Sequence, residues 1–241
     1  MNTWKTRLFW ITALLSLATL VGCAPPGTEE EGDDSALERD DAIVGGRRAT
    51  AYPEAVLVDM SRGGWPSAAC SGALIAPRVV LTAGHCVHGF DGWAIEAPFA
   101  DHQSSSAWGA ETYDWDADGE AVDPSMHDVG LLFLRDPIEL AKYPTLAKTH
   151  VPFGSNVVDI GRIDDGVLSR TALFIGPKVQ AEDGAEIGFP YAYVAEEIIE
   201  SGDSGGPVLK PGSHTIVGVN SGGGHGVELL ARVDLVRAWI G

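Results

Sequence analysis

An all-β fold of two antiparallel barrels followed by one C-terminal helix is the architecture this sequence predicts. Three observations carry it. From Ile43 onward, short apolar runs of strand length alternate with clusters of Gly, Pro, Ser and Asp. No helical periodicity appears until the end, where Val233, Val236, Trp239 and Ile240 recur at helix spacing with Asp234 near the start. Between the two sets of runs, residues 140 to 155 carry Pro144, Pro152 and Gly154, which reads as the crossing from one barrel to the other. A length of 241 residues supplies ample material for such a core.

Residues 1–22 stand outside this fold. Lys5 and Arg7 form a positive start, Leu8 to Leu20 an apolar run short for a bilayer, and small residues follow. That is the pattern of a secretory signal peptide. Its exit, Leu20-Val21-Gly22-Cys23, resembles a bacterial lipobox, which implies cleavage before Cys23 and lipidation of its thiol. Ala24 in place of Asp favours an outer-membrane address under the same resemblance. Residues 23–42 hold Pro25, Pro26, Gly27 and Gly32, with eight acidic residues against Arg39 alone. With no apolar periodicity, this stretch reads as a solvated tether or propeptide.

The domain proper then spans 43–241, divided into an N-terminal barrel at 43–145 and a C-terminal barrel plus helix at 146–241. The strands read in order are Ala55–Met60, Ser71–Ala76, Val79–Thr82, Val129–Leu134, Val157–Gly161, Leu168–Ile175 and Thr215–Val219. No internal repeat is evident. The net charge of -18 argues against nucleic acid or an anionic surface as a partner.

Four segments carry the chemistry. They are Ile43-Val44-Gly45-Gly46, Thr82-Ala83-Gly84-His85-Cys86, Asp128-Val129-Gly130-Leu131-Leu132 and Gly202-Asp203-Ser204-Gly205-Gly206-Pro207. A Ser hydroxyl is a weak nucleophile at neutral pH and needs an adjacent base. A His can take the proton and return it to the leaving amine, and an Asp can fix the imidazole tautomer. The chain order His, Asp, Ser is the one used by two-barrel hydrolases. Together the segments resemble the chymotrypsin/trypsin family of serine endopeptidases, from Ile43 to the end.

The resemblance implies two packed six-stranded barrels, catalysis by His85, Asp128 and Ser204, and an oxyanion hole from the N–H groups of Gly202 and Ser204. It implies no cofactor and protein or peptide substrates. It also implies a zymogen: cleavage before Ile43 frees an ammonium that pairs with Asp203. Ala42 precedes the cut, so an activator that accepts Ala, rather than Arg or Lys, is expected. Since Cys23 lies ahead of that cut, activation would also release the enzyme from the membrane. The expected location is therefore the cell envelope before cleavage and the extracellular space after it.

Of the three cysteines, Cys23 would carry lipid, leaving Cys70 and Cys86 to pair in an oxidising compartment. In the family a bridge here holds the strand that ends at the His, and a loop of this length contributes about 3 kcal/mol on the chain-entropy model. Gly84 and Gly130 stand where Ala is commoner in the family. The base of the primary pocket lies six residues before the nucleophile, at Ile198, with Ser221 and Gly223 on a second wall. An apolar floor favours an apolar P1 side chain. Glu200, in the place of a family Cys, offers the alternative of a basic one.

Other readings compete. Gly202 to Gly206 also fits the G-x-S-x-G elbow of α/β-hydrolases, but His214, His225 and Asp234 follow in the wrong order. A non-catalytic homologue acting as a surface binding module would keep the fold, although such proteins usually lose a triad residue. Asp114 to Gly119 matches the first half of a calcium loop, whose twelfth position, Ser125, lacks the bidentate Glu. Trp108 and Trp115 read as loop anchors. Of seven His, His102, His127, His150, His214 and His225 receive no role.

Overall fold

A computed structural model describes residues 46–117 and 122–241. The signal peptide, Cys23, the tether and Ile43 lie outside the described residues, as does the middle of the calcium-like loop.

Strand β1 (Arg47–Arg48) leads into the first barrel, made by β2 (Ala55–Arg62), β3 (Trp65–Ala76), β4 (Val79–Thr82), β5 (Gly92–Ala97), β6 (Gln103–Thr112) and β7 (Gly130–Leu134). These six close in the order β2-β3-β4-β7-β6-β5. Strand β8 (Thr145–Leu146) lies in the crossing, and β9 (Ser155–Gly161) opens the second barrel. A small hairpin of β10 (Ile163–Asp164) and β11 (Val167–Leu168) follows. Then come β12 (Phe174–Asp183), β13 (Ala192–Glu196), β14 (Pro207–Leu209), β15 (Thr215–Gly224), β16 (Val227–Arg232) and the helix α1 (Val233–Ile240). The second ring is closed because β9 pairs with both β12 and β14. Strand β1 is added to β12, and β8 runs parallel beside β15.

Alternation explains why strands with apolar residues on both faces hold their register. On β2, Val56, Val58 and Met60 enter the first barrel's core. Leu57 between them points the other way, into a cluster shared with Ile160, Leu209, Val219 and Val236 of the second barrel. A one-residue slip would exchange the two sets. On β7, Leu132 and Leu134 likewise fill the first barrel, while Leu131 faces the shared cluster. Burying each such side chain contributes about 1.5–3 kcal/mol. Leu132 is fully buried, so Leu132→Ala removes a contact of the kind that costs about 2–5 kcal/mol.

The Leu168–Ile175 run is not one strand. Leu168 ends the hairpin, and Phe174 begins β12. Between them Ser169 Oγ accepts the N–H groups of Thr171 and Ala172 at 3.4 and 3.1 Å, so a side-chain turn displaces the ladder. The helix forms as its periodicity predicts, with Val233 and Val236 buried.

Candidate active site

The facing edges of the two barrels meet around one cavity of about 540 Å³. Strand β4 ends at Thr82, whose hydroxyl donates to Ser71 O at 2.8 Å, and the chain turns through a 3-10 segment at Gly84–Cys86. That turn presents His85. Asp128 lies two residues ahead of β7 and is 2% exposed. Its Oδ1 accepts the His85 backbone N–H at 2.8 Å. Its Oδ2 accepts from His85 Nδ1 at 2.8 Å and from the Ser221 hydroxyl at 2.6 Å. With Asp128 Oδ2 as the acceptor, a neutral His85 ring carries its proton on Nδ1.

Ser204 lines the same cavity as His85, on the turn that precedes β14. Gly202 and Gly205 adopt φ of 116° and 80°, a region that side chains rarely enter. Within the turn, the N–H groups of Asp203, Gly205 and Gly206 go to Glu200 O, Asn220 O and Asp203 O. Among the described residues this leaves the N–H groups of Gly202 and Ser204 without an internal acceptor. The turn is tied to the first barrel twice. Ser71 N–H donates to Ser204 O at 2.8 Å, and its hydroxyl donates to Gly202 O at 3.1 Å.

Cys70 and Cys86 are bonded, closing a loop of sequence separation 16. Their sulfurs and a His85 ring nitrogen lie within 4.8 Å of one another, so the bridge buttresses the His-bearing turn. Gly84 has a packing reason. A Cβ there would lie 2.7 Å from Trp115 Cβ and 3.1 Å from Asp128 Oδ1. At Gly130 a Cβ would lie 2.7 Å from Val87 Cγ2. Trp115 is buried beside the site and does anchor its loop, whereas Trp108 is 64% exposed on β6. Asp114 accepts His127 N–H and Nδ1, each at 2.7 Å.

Beneath the turn the second barrel buries several charges. Asp203 Oδ1 accepts the N–H groups of Arg162 and Ile163 at 2.7 and 2.8 Å, and Oδ2 that of Glu200 at 3.0 Å. Burial pushes its pKa up to about 6, against the pull of those three amides. Glu228 Oε2 accepts the N–H groups of Ile198 and Ile199 at 2.9 and 3.2 Å. Burial pushes Glu228 up to about 7. Asp159 is raised well above the usual carboxylate range, by burial first and by Glu228 second, and its oxygens meet no donor other than Glu228. The fully buried Arg162 side chain crosses between barrels, with Nη1 2.7 Å from Asp59 Oδ1 and 3.1 Å from Cys70 O.

Ser221 and Gly223 line the cavity, but Ile198 does not. Ile198 is 8% exposed and its side chain belongs to the second barrel's core. The wall is built instead by Glu197, Ile199 and Glu200. The apolar P1 expectation rested on Ile198 as the floor, and that support is gone. Arg62 and His88 also line the cavity, from the first barrel. No motif marked either one: His88 is carried by the turn that presents His85, and Arg62 arrives at the end of β2.

Comparison with known proteins follows this geometry. No curated protein sequence matches the chain significantly. Solved structures match its fold. HL collagenase superposes with a TM-score of 0.68 at 17% identity, over 81% of this chain and 95% of that one. Human heparin binding protein gives 0.63 at 23%, over 81% and 94%. The scabies mite inactivated protease paralogue S-I1 gives 0.64 at 21%, over 81% and 96%. The family model described as Trypsin matches residues 43–240, and the chain accordingly belongs to the trypsin family.

Proposed function

We propose that this protein is a serine endopeptidase that works through His85, Asp128 and Ser204. The observation that carries the reading is the 2.8 Å bond from His85 Nδ1 to an Asp128 whose every oxygen is occupied, opposite Ser204 in one cavity. Ser204 Oγ attacks the substrate carbonyl carbon and gives its proton to His85 Nε2. The N–H groups of Gly202 and Ser204 take the developing oxyanion, and each such donor lowers the barrier by about 3–4 kcal/mol. The imidazolium then protonates the leaving amine as the C–N bond breaks, and an acyl-enzyme remains. Water, deprotonated by the same Nε2, hydrolyses the ester and returns Ser204.

In this reading the enzyme is exported as a zymogen, anchored through Cys23 and switched on by cleavage before Ile43. The arrangement of Asp203 supports it: a buried carboxylate held only by neutral amides gains a partner when an ammonium arrives. Protein starting at Ile43 is expected to cleave casein peptides and to be labelled by a fluorophosphonate, with both lost in Ser204→Ala. Labelling of neither protein would point to the surface-binding alternative. For the anchor, the fragment starting at Ile43 is expected in the soluble fraction after a salt wash, and its retention on membranes would sink the release step.

A further inference from the structure

The cavity that holds His85 and Ser204 is charged oppositely on its two barrels. On the second barrel Glu197 and Glu200 line it. Glu197 lies against the end of β15 that runs past its pairing with β14, where a Cβ on Gly223 would stand 2.8 Å from its Oε1. Its Oε2 accepts the Gly226 N–H at 2.8 Å, which pins the carboxylate in that place. On the first barrel Arg62 and His88 line the cavity. Arg62 Nε donates to Gly89 O at 2.7 Å, and its guanidinium stands 5.1 Å from the Phe90 ring centre. Those two contacts fix an exposed guanidinium whose terminal nitrogens make no hydrogen bond among the described residues. Apart from His85, these four are the cavity's ionisable side chains.

The roles of Ser204 and His85 give this dipole a direction along the substrate. The acyl half lies beside Ser221 and Gly223, whose strand edge can pair with an extended peptide. The amine half leaves past His85, which protonates it, toward Met60, Arg62 and His88 of the first barrel. Resting on the endopeptidase reading above, we propose that the cleft selects substrates by charge polarity. Glu197 takes a cationic side chain on the acyl side of the scissile bond, and Arg62 takes a carboxylate on the leaving side.

On the acyl side the chain's own processing site has the reverse charge. Asp40-Asp41-Ala42 precede the cut. Those acids would meet Glu197. The enzyme is therefore a poor activator of itself, and a zymogen crowded on a membrane stays silent until a different protease arrives. Like-charge juxtaposition of this kind is how specificity against a wrong partner is built.

The test uses protein starting at Ile43, first titrated with a fluorophosphonate to count active sites. Four quenched peptides then pair Arg or Glu before the scissile bond with Asp or Lys two residues after it. The Arg/Asp peptide is expected to exceed the Glu/Lys peptide by at least about tenfold in kcat/KM, a gap that shrinks in high salt. Per titrated site, Glu197→Gln should reduce the preference on the acyl side alone, and Arg62→Gln that on the leaving side alone. Full-length Ser204→Ala protein offered to the titrated enzyme should stay uncut between Ala42 and Ile43. Equal rates on all four peptides by titrated enzyme, or cutting at that bond, overturns the proposal. A protein that does not titrate fails as an endopeptidase, and the proposal falls with it.

Discussion

Asp128, buried where the two barrels meet, and Asp159, buried in the second barrel, are carboxylates treated in opposite ways. Asp128 accepts three donors from His85 and Ser221, and packing around it is so close that Gly84 leaves no space for a methyl group. Asp159 meets no donor other than a second buried acid, Glu228, with which it shares a hydrogen bond. The first arrangement stabilises a negative charge and holds it in place. The second disfavours charge, so the pair retains a proton. One bed is built by geometry. The other is built by a shared proton, and its contribution to stability should depend on pH.

The largest expected break falls on the satisfied bed. In Asp128→Asn the amide nitrogen or oxygen must face His85 Nδ1 and the Ser221 hydroxyl with the wrong mix of donors and acceptors. The imidazole then shifts its proton to Nε2 and loses its base. Activity at neutral pH should fall about ten-thousandfold in kcat, with little change in melting temperature. A loss under tenfold, measured on active-site-titrated protein, would show that Asp128 does not set the tautomer.

The proton-sharing bed is broken by pH itself. Glu228 has a folded pKa raised to about 7 against 4.5 when exposed, because burial penalises its charge. Its stabilising contribution is therefore complete below about 4.5 and is lost as pH rises through about 7. In Glu228→Gln the side-chain oxygen still accepts the Ile198 and Ile199 amides, but this position no longer ionises and Asp159 is left as the pair's one acid. Urea unfolding should show the parent losing about 2–3 kcal/mol between pH 5 and 8 more steeply than the variant. Parallel slopes would mean that the pair does not hold the proton.

This contrast also divides what a reader of the chain could and could not see. The satisfied bed was legible because its residues sit inside contiguous motifs, Thr82 to Cys86, Asp128 to Leu132 and Gly202 to Pro207. The strands found early are those with runs of Val, Ile and Leu. Strand β6, Gln103–Thr112, escaped because its Ser, Ala and Gly alternate without large apolar residues, and its place is set by β5 and β7 on either side. The proton-sharing bed was illegible. Asp159 and Glu228 lie on β9 and β16, and only barrel closure brings them together. The wall of the cavity was misplaced for a related reason. Counting back from Ser204 to Ile198 takes the family's loop as given, and here the Ile198 side chain packs into the core while its neighbours Glu197 and Ile199 line the cavity.

The smallest predicted effect concerns Gly84, which at the level of the motif is a harmless departure. A methyl group there meets Cβ and Cγ of Trp115 at 2.7 and 2.9 Å. The nearer of them, Cβ, is fixed by the backbone, so no change of rotamer moves it aside. Relief requires the segment around Trp115, or the Gly84–Cys86 turn with His85 on it, to shift by several tenths of an ångström. Overpacking of this sort costs about 1–3 kcal/mol, and a displaced base costs rate. Gly84→Ala should lower the melting temperature and reduce kcat by about 10–100-fold with KM little changed. Trp115→Phe keeps the offending Cβ and Cγ, so it should not rescue the variant. Rescue by Phe would place the clash on the outer indole ring instead, and full activity in Gly84→Ala would show that the packed bed has room to give.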